Sequence, residues 1–191
     1  MWNWLVYILG SGASIVLYDG NPMFPRAERL IDIAESERIT KLGLSAKYID
    51  SIRKTGISPK NTHNLELLRT IMSTGSVLVP ESFDYVYSEI KDNVHLASMS
   101  GGTDICGCFI AGIPTQPVYR GEIQGPCLGT AAEVFDENGQ PASPNSKGEL
   151  VCTVPFPSMP IGFWGDSDGS KYRAAYFEGF PNVWKIGRAH V

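Results

Sequence analysis

Residues 94–104 read Val94-His95-Leu96-Ala97-Ser98-Met99-Ser100-Gly101-Gly102-Thr103-Asp104. The apolar run Val94 to Met99 predicts a β-strand, and the glycines, hydroxyls and carboxylate after it predict a tight polar ending. That ending carries the functional reading, because in open α/β sheets a ligand lies beyond the carboxyl ends of the strands. Glycine lets backbone N–H groups come close to a phosphate or a purine. The Thr103 hydroxyl can donate to a phosphate oxygen, and the Asp104 carboxylate can hold Mg²⁺ directly or through water. The same residues also make an ordinary turn with an Asx-type bond, so the reading rests on the rest of the chain.

Working outward, residues 1 to about 104 alternate helix-like and strand-like segments punctuated by Gly, Pro or Asn. Strands are predicted at Ala13 to Tyr18, Lys41 to Ser45, Thr70 to Ser73 and Val94 to Met99. A helix is predicted from about Arg26 to Arg38, with Leu30, Ile33 and Ala34 on its apolar face. Another runs from Ala46 to Lys54 and stops at Gly56; Asn61 and Thr62 are read as caps for Leu65 to Leu68, and Pro80-Glu81 opens a further helix. Strands separated by such helices imply right-handed crossovers, hence an α/β fold with a mostly parallel sheet and helices on both faces. The predicted strand ends are Tyr18-Asp19-Gly20, Ser45-Ala46, Thr74-Gly75-Ser76 and Ser100 to Asp104, small and hydroxylic residues throughout. Thr74-Gly75-Ser76 is thus a second hydroxyl-and-glycine group at the same sheet edge, and the two loops are expected to clasp one nucleotide.

After Ile113-Pro114 the helical period disappears and Pro and Gly become frequent. Gly129 to Phe135 and Gly148 to Val154 are predicted strands, connected through the turn Asp136-Glu137-Asn138-Gly139. The expected organisation is an α/β subdomain over residues 1–113 carrying the nucleotide loops and a β-rich subdomain, a partial barrel, over 114–184. The uncharged stretch Trp2 to Tyr18 is read as a buried helix and strand, not a signal sequence or membrane span: no Lys or Arg precedes it, and Gly10-Ser11-Gly12 interrupts it. A net charge of -4 over 191 residues, without a basic cluster, argues against a nucleic-acid partner. The four cysteines, Cys106, Cys108, Cys127 and Cys152, match neither zinc spacing nor a disulfide scaffold and read as reduced cytosolic thiols. No G-x-G-x-x-G follows the first predicted strand, which disfavours a short-chain oxidoreductase. His63, His95 and His190 form no Ser-His-Asp pattern.

Ser100 to Asp104 resembles the Tyr-Gly-x-Thr-Glu core of the adenylate-forming enzymes, and Thr74-Gly75-Ser76 resembles their glycine-rich loop beside the adenine. Together with Trp2 to Val6, Leu17 to Gly20, Ser45 to Tyr48 and the continuation into Ile105-Cys106, the chain is similar, from residue 1 to about Trp184, to the acetoacetyl-CoA synthetase branch of that superfamily. The resemblance implies a fragment of the large N-terminal domain of such an enzyme. It implies an ATP-dependent, Mg²⁺-requiring acid–thiol ligase of the cytosol whose small-molecule partners are ATP, acetoacetate and CoA. By the same resemblance Thr103 would contact the α-phosphate, with Ser100, Gly101 and Gly102 beside it in the nucleotide site. Asp104 would stand for the magnesium-binding glutamate. Thr74, Gly75 and Ser76 would line the adenine, and Trp2 and Trp4 the acyl pocket. Gly121 to Gly129 resembles the loop at which the β subdomain begins.

The family's aromatic residue before the glycine is Ser100 here, and Gly187 is followed by Arg188 where the family has an aspartate that binds ribose. Ile186 to Val191 is also what a common sequencing adapter encodes in one frame, so 185–191 is expected to be an artefactual tail. The phosphate-gripping loop and the lid with its catalytic lysine have no counterpart in these residues, and the chain by itself is expected to be inactive. Two alternatives stay open: an acetyl- or propionyl-CoA synthetase-like ligase, and a noncatalytic α/β nucleotide-binding or interaction module.

Overall fold

The structure, a computed structural model, describes residues 7–186. By its internal contacts the described chain forms two compact units, one of residues 7–99 with 111–125 and one of 100–110 with 126–186. The chain passes between them at 99–100, 110–111 and 125–126, where composition alone suggested one passage after residue 113.

The first unit is built on a parallel sheet in the order β1 (Lys41–Ser45), β2 (Thr70–Thr74), β3 (His95–Ser98). Lys41 is aligned with Thr70, and Thr70 with His95. Burial alternates along β1 and β2, as a period of two dictates: Leu42, Leu44, Ile71 and Ser73 point into the core. Helices α1 (Arg29–Ser36), α2 (Ala46–Thr55), α3 (Pro59–Thr62) and α4 (Pro80–Tyr85) follow in chain order, α4 running on into a π-helical turn at Val86–Ile90. Ile31, Ile49, Ile52, Phe83, Val86 and Leu96 join the strand residues in one apolar core. Helix α2 starts because the Ser45 hydroxyl accepts from the Tyr48 amide, and it stops at Gly56, which adopts φ 73°.

Side chains tie the connecting loops to this core. Lys91 Nζ donates to the carbonyl oxygens of Leu65, Glu66 and Leu68. Gln124 accepts from the Ile113 amide and donates to the carbonyls of Ile113 and Gln116, which clips the returning segment 111–125. Arg120 grips Asp84 with two nitrogens at 2.9 Å.

Three local expectations are corrected. Ala13 to Tyr18 is not a strand; Val16, Leu17 and Tyr18 are exposed. No strand among the described residues pairs with it, and β-propensity without a hydrogen-bonding neighbour does not make a strand. The preceding residues 7–10 are helical but not buried, Tyr7 and Leu9 being 63% and 65% exposed. Leu65 to Leu68 is a single turn, held by Lys91 and by an Asn64 side chain accepting from Glu66 N–H, and the helical residues come before it at Pro59–Thr62.

The second unit is β-rich. β4 (Ser100–Gly102) and β5 (Gly107–Ala111) pair as an antiparallel hairpin, the two-residue β6 (Gly125–Pro126) lies at the passage between units, and β7 (Ala132–Phe135), β8 (Glu149–Cys152) and β9 (Trp184–Lys185) form an antiparallel sheet. After β7 the chain reverses where the Asp136 carboxylate accepts from the amides of Asn138 and Gln140, with Gly139 at φ 73°. Helix α5 (Ser170–Phe177) corrects the expectation that helical structure ends at residue 113; Asp166 accepts from the amides of Lys171 and Tyr172 in its first turn. Its Tyr172, Tyr176 and Phe177 pack with Phe109, Phe156 and Trp184 into a separate core. Of the expected tail, Lys185 pairs with Val151 and Ile186 is 6% exposed in that core. Residues 187–191 lie outside the described residues, as do Trp2 and Trp4.

Candidate functional site

In the first unit, β1, β2 and β3 all end in hydroxylic residues: Ser45 is aligned with Thr74, and Ser73 with Ser98. Register in a parallel sheet therefore brings four hydroxyl-bearing positions to one edge. Thr74 closes β2, and Gly75 and Ser76 extend beyond it into solvent. Gly75 adopts φ 90° with nothing among the described residues within 4 Å of where a Cβ would stand, so glycine is needed there for its conformation. Ser73 is buried, and its hydroxyl has no hydrogen-bond partner among the described residues. Tyr18-Asp19-Gly20, read from sequence as a fourth strand end, is not part of this edge, because residues 13–18 are not a strand.

In the second unit the Ser100 to Asp104 motif takes a shape that the sequence did not suggest. Ser100, Gly101 and Gly102 are strand residues facing Ile110, Cys108 and Gly107, with a bulge between Ser100 and Gly101. Thr103 and Asp104 then sit in the turn of a β-hairpin, both exposed, and Cys106 N–H donates to Thr103 O. The two glycines serve different needs. A Cβ at Gly101 would overlap the backbone of Gly107 and Cys108, so this position is closed by the partner strand. A Cβ at Gly102 would fall on the Asp104 carboxylate, so the missing methyl leaves the space that carboxylate occupies.

Asp104 is held from its other side by Tyr176, whose hydroxyl donates to Oδ2 at 2.5 Å. Tyr176 is 9% exposed and stacks on Trp184 with ring centroids 3.7 Å apart and planes 18° apart. Burial, then the hydrogen bond to the Asp104 carboxylate, pushes the Tyr176 phenol well above its usual range, so it is a proton donor at any physiological pH. Sequence reading missed this residue, which lies 72 positions away from Asp104 along the chain. The available clue was Tyr172 and Tyr176 at an i, i+4 spacing just after the acidic cap residues Asp166 and Asp168.

Two of the four thiols are shifted by burial. Burial pushes Cys127 up to about 11 and also raises Cys108, while Cys106 is exposed on the hairpin turn. Among the described residues no group of three or more His, Cys, Asp or Glu side chains is placed to hold a metal ion, and no helix is long and apolar enough to cross a membrane.

The comparisons with known proteins agree with one another. A family model described as AMP-binding enzyme matches residues 1–160. An acetoacetyl-coenzyme A synthetase of Rhizobium meliloti (strain 1021) is 56% identical over 98% of this chain, and an acetoacetyl-CoA synthetase of Xenopus tropicalis is 50% identical over the same share. A solved structure, acetoacetyl-CoA synthetase from Streptomyces lividans, superposes with a TM-score of 0.89 at 44% identity over 97% of the chain. The chain spans 29% of the length of the first of these relatives, 28% of the second and 29% of the solved chain.

Proposed function

We infer, since this chain belongs to the AMP-binding enzyme family, that it is a segment of an ATP-dependent ligase joining acetoacetate to CoA. The observation that carries this reading is the likeness, at 50% identity or more, to proteins named acetoacetyl-CoA synthetase over 98% of the chain. In the proposed reaction a carboxylate oxygen of acetoacetate attacks the α-phosphorus of ATP, forming an acyl-adenylate and releasing diphosphate. The CoA thiolate then attacks the acyl carbon, and AMP leaves with the electron pair of the broken C–O bond.

The residues of this chain supply binding and positioning. Thr103, on the hairpin turn, is suited to donate its hydroxyl to an α-phosphate oxygen, with the backbone of Ser100, Gly101 and Gly102 beside it. Thr74, Gly75 and Ser76 are proposed to line the adenine, and Trp2 and Trp4 the acyl pocket. The exposed carboxylate of Asp104 fits Mg²⁺: it is a hard anionic donor, one oxygen is engaged by Tyr176, and no all-protein cage surrounds it among the described residues. That donor set suits an ion that keeps several waters and takes substrate phosphates as its remaining ligands. Bound there, Mg²⁺ would neutralise phosphate charge as the α-phosphorus is attacked. Cytosolic localisation goes with this reading and is supported by four unpaired cysteines.

Calorimetry with ATP and AMP, with and without Mg²⁺, tests the assignment. Saturable binding that is weakened by Asp104→Ala and by Gly75→Val supports it. Absence of binding by the intact ligase at millimolar nucleotide refutes it, whereas absence in this chain alone leaves an inert segment. Acid preference is read on the intact ligase by adenylate formation with acetoacetate against acetate and propionate.

A further inference from the structure

We propose that Tyr176 is a positioning residue for the metal-binding carboxylate, fixing Asp104 so that Oδ1 is the oxygen presented to Mg²⁺. This rests on the reading of Asp104 given above and adds to it a residue from the far end of the second unit.

The argument is geometric. An aspartate on an exposed hairpin turn has two soft torsions and samples several rotamers, so a carboxylate left to itself binds a cation at the cost of losing that freedom. Here the freedom is already restricted from two directions. The Tyr176 hydroxyl holds Oδ2 at 2.5 Å, and the strand residue Gly102, lacking a Cβ, leaves the pocket in which Oδ1 sits.

The donor is itself rigid. The Tyr176 ring is stacked on Trp184 and meets Tyr172 and Phe163 edge-on, with centroids 5.4 Å and 5.6 Å away. Trp184 in turn packs against Phe156, and Phe156 against Phe109 on β5, the strand that pairs with β4. The aromatic core thus connects α5 and β9 to the hairpin whose turn carries Asp104. The hydrogen bond from the buried Tyr176 hydroxyl engages Oδ2 and leaves Oδ1 as the oxygen free to act as a hard donor. This favours one-oxygen coordination of a small octahedral ion over two-oxygen capture. Partners that orient a ligand in this way typically contribute about 10-fold or more to metal affinity.

The test measures how nucleotide affinity depends on Mg²⁺ in the 191-residue chain, by calorimetry across a magnesium series, for the parent, Tyr176→Phe, Asp104→Ala and the double variant. Tyr172→Phe is the control: it also removes a hydroxyl from this aromatic cluster, but one that donates to the Pro160 carbonyl instead of Asp104. The expected result is a rise of about 10-fold in the magnesium concentration needed for half-maximal effect in Tyr176→Phe. Tyr172→Phe should show no such rise, and Tyr176→Phe should add nothing once Asp104 is alanine.

An unchanged magnesium dependence in Tyr176→Phe, with Asp104→Ala still abolishing it, overturns the inference and leaves the nucleotide reading intact. Equal weakening by Tyr176→Phe in the parent and in the Asp104→Ala background means the tyrosine acts only through folding, and that too overturns the inference. A parent chain that binds nucleotide with no effect of Asp104→Ala overturns the assignment of Asp104, and the inference with it.

Discussion

Gly101→Ala separates two reasons for a glycine in this motif. The sequence suggests that the glycines admit a phosphate to the backbone, whereas the structure closes Gly101 with protein: an added Cβ would lie 2.5 Å from Cys108 Cα and 2.9 Å from the Gly107 carbonyl carbon. Carbon atoms in contact prefer about 3.5–4.0 Å, so the paired strands must separate by roughly 1 Å. The obstruction is main chain, so no rotamer change relieves it. A cost of about 3 kcal/mol follows, the upper part of the range for overpacked sites. For a chain of this size each kcal/mol lowers Tm by roughly 2–4 °C, which gives a drop of roughly 6–12 °C.

Gly75→Ala is the comparison, because its Cβ meets nothing among the described residues within 4 Å and only the φ of 90° resists the change, at roughly 1–2 kcal/mol. Urea and thermal unfolding followed by circular dichroism, with hydrogen exchange at the Cys127 amide that donates to Phe109 O, give both values. The reasoning is refuted if Gly101→Ala lies within about 0.5 kcal/mol of the parent, the spread of a neutral surface change, or if Gly75→Ala is the more damaging of the two.

Lys91→Met leaves the carbonyls of Leu65, Glu66 and Leu68 without their ammonium donor. A loss of about 2–3 kcal/mol is expected, with faster hydrogen exchange confined to residues 64–69. The Asp136 carboxyl is held below its ordinary value by the Gln140 amide and then by Asn138. A depressed folded pKa adds stability above the unfolded value of about 3.9, and that stability is lost as pH falls through the folded pKa. Unfolding midpoints measured from pH 6 down to pH 2 should therefore fall less steeply for Asp136→Asn than for the parent. Alkylation at pH 8 followed by peptide mapping should modify exposed Cys106 first, and Cys127, whose thiol burial pushes up to about 11, only after denaturation.

Much of the first unit is legible along the chain. Lys41 to Ser45 alternates Leu42 and Leu44 with polar or small residues, Thr70 to Ser73 carries the apolar pair Ile71-Met72 shortly before Gly75, and both are strands. Ser45 and Gly56 mark the two ends of α2 by local chemistry that needs no distant partner. The leading face of α1 is less legible: Ile31 is buried with Ala34, a residue away from the stripe expected from Leu30, Ile33 and Ala34, because side-chain direction depends on where the sheet lies. Ala13 to Tyr18 reads as a strand by composition and is not one, since a strand is defined by its neighbour.

The candidate site divides the same way. Local sequence determined that Ser100 to Asp104 and Thr74 to Ser76 carry glycines, hydroxyls and a carboxylate in or beside strands, and the nucleotide role proposed for them comes from family likeness. Only tertiary structure decided that Gly101 is closed by its partner strand, that Gly102 makes room for a carboxylate, and that a tyrosine 72 residues away holds that carboxylate. The physical reason is range. Propensity, capping and turn chemistry act within a few residues and are written in the order of the chain. The approach of two backbones, or of a phenol to a carboxylate, is set by packing between segments whose separation in sequence says nothing about their distance in space.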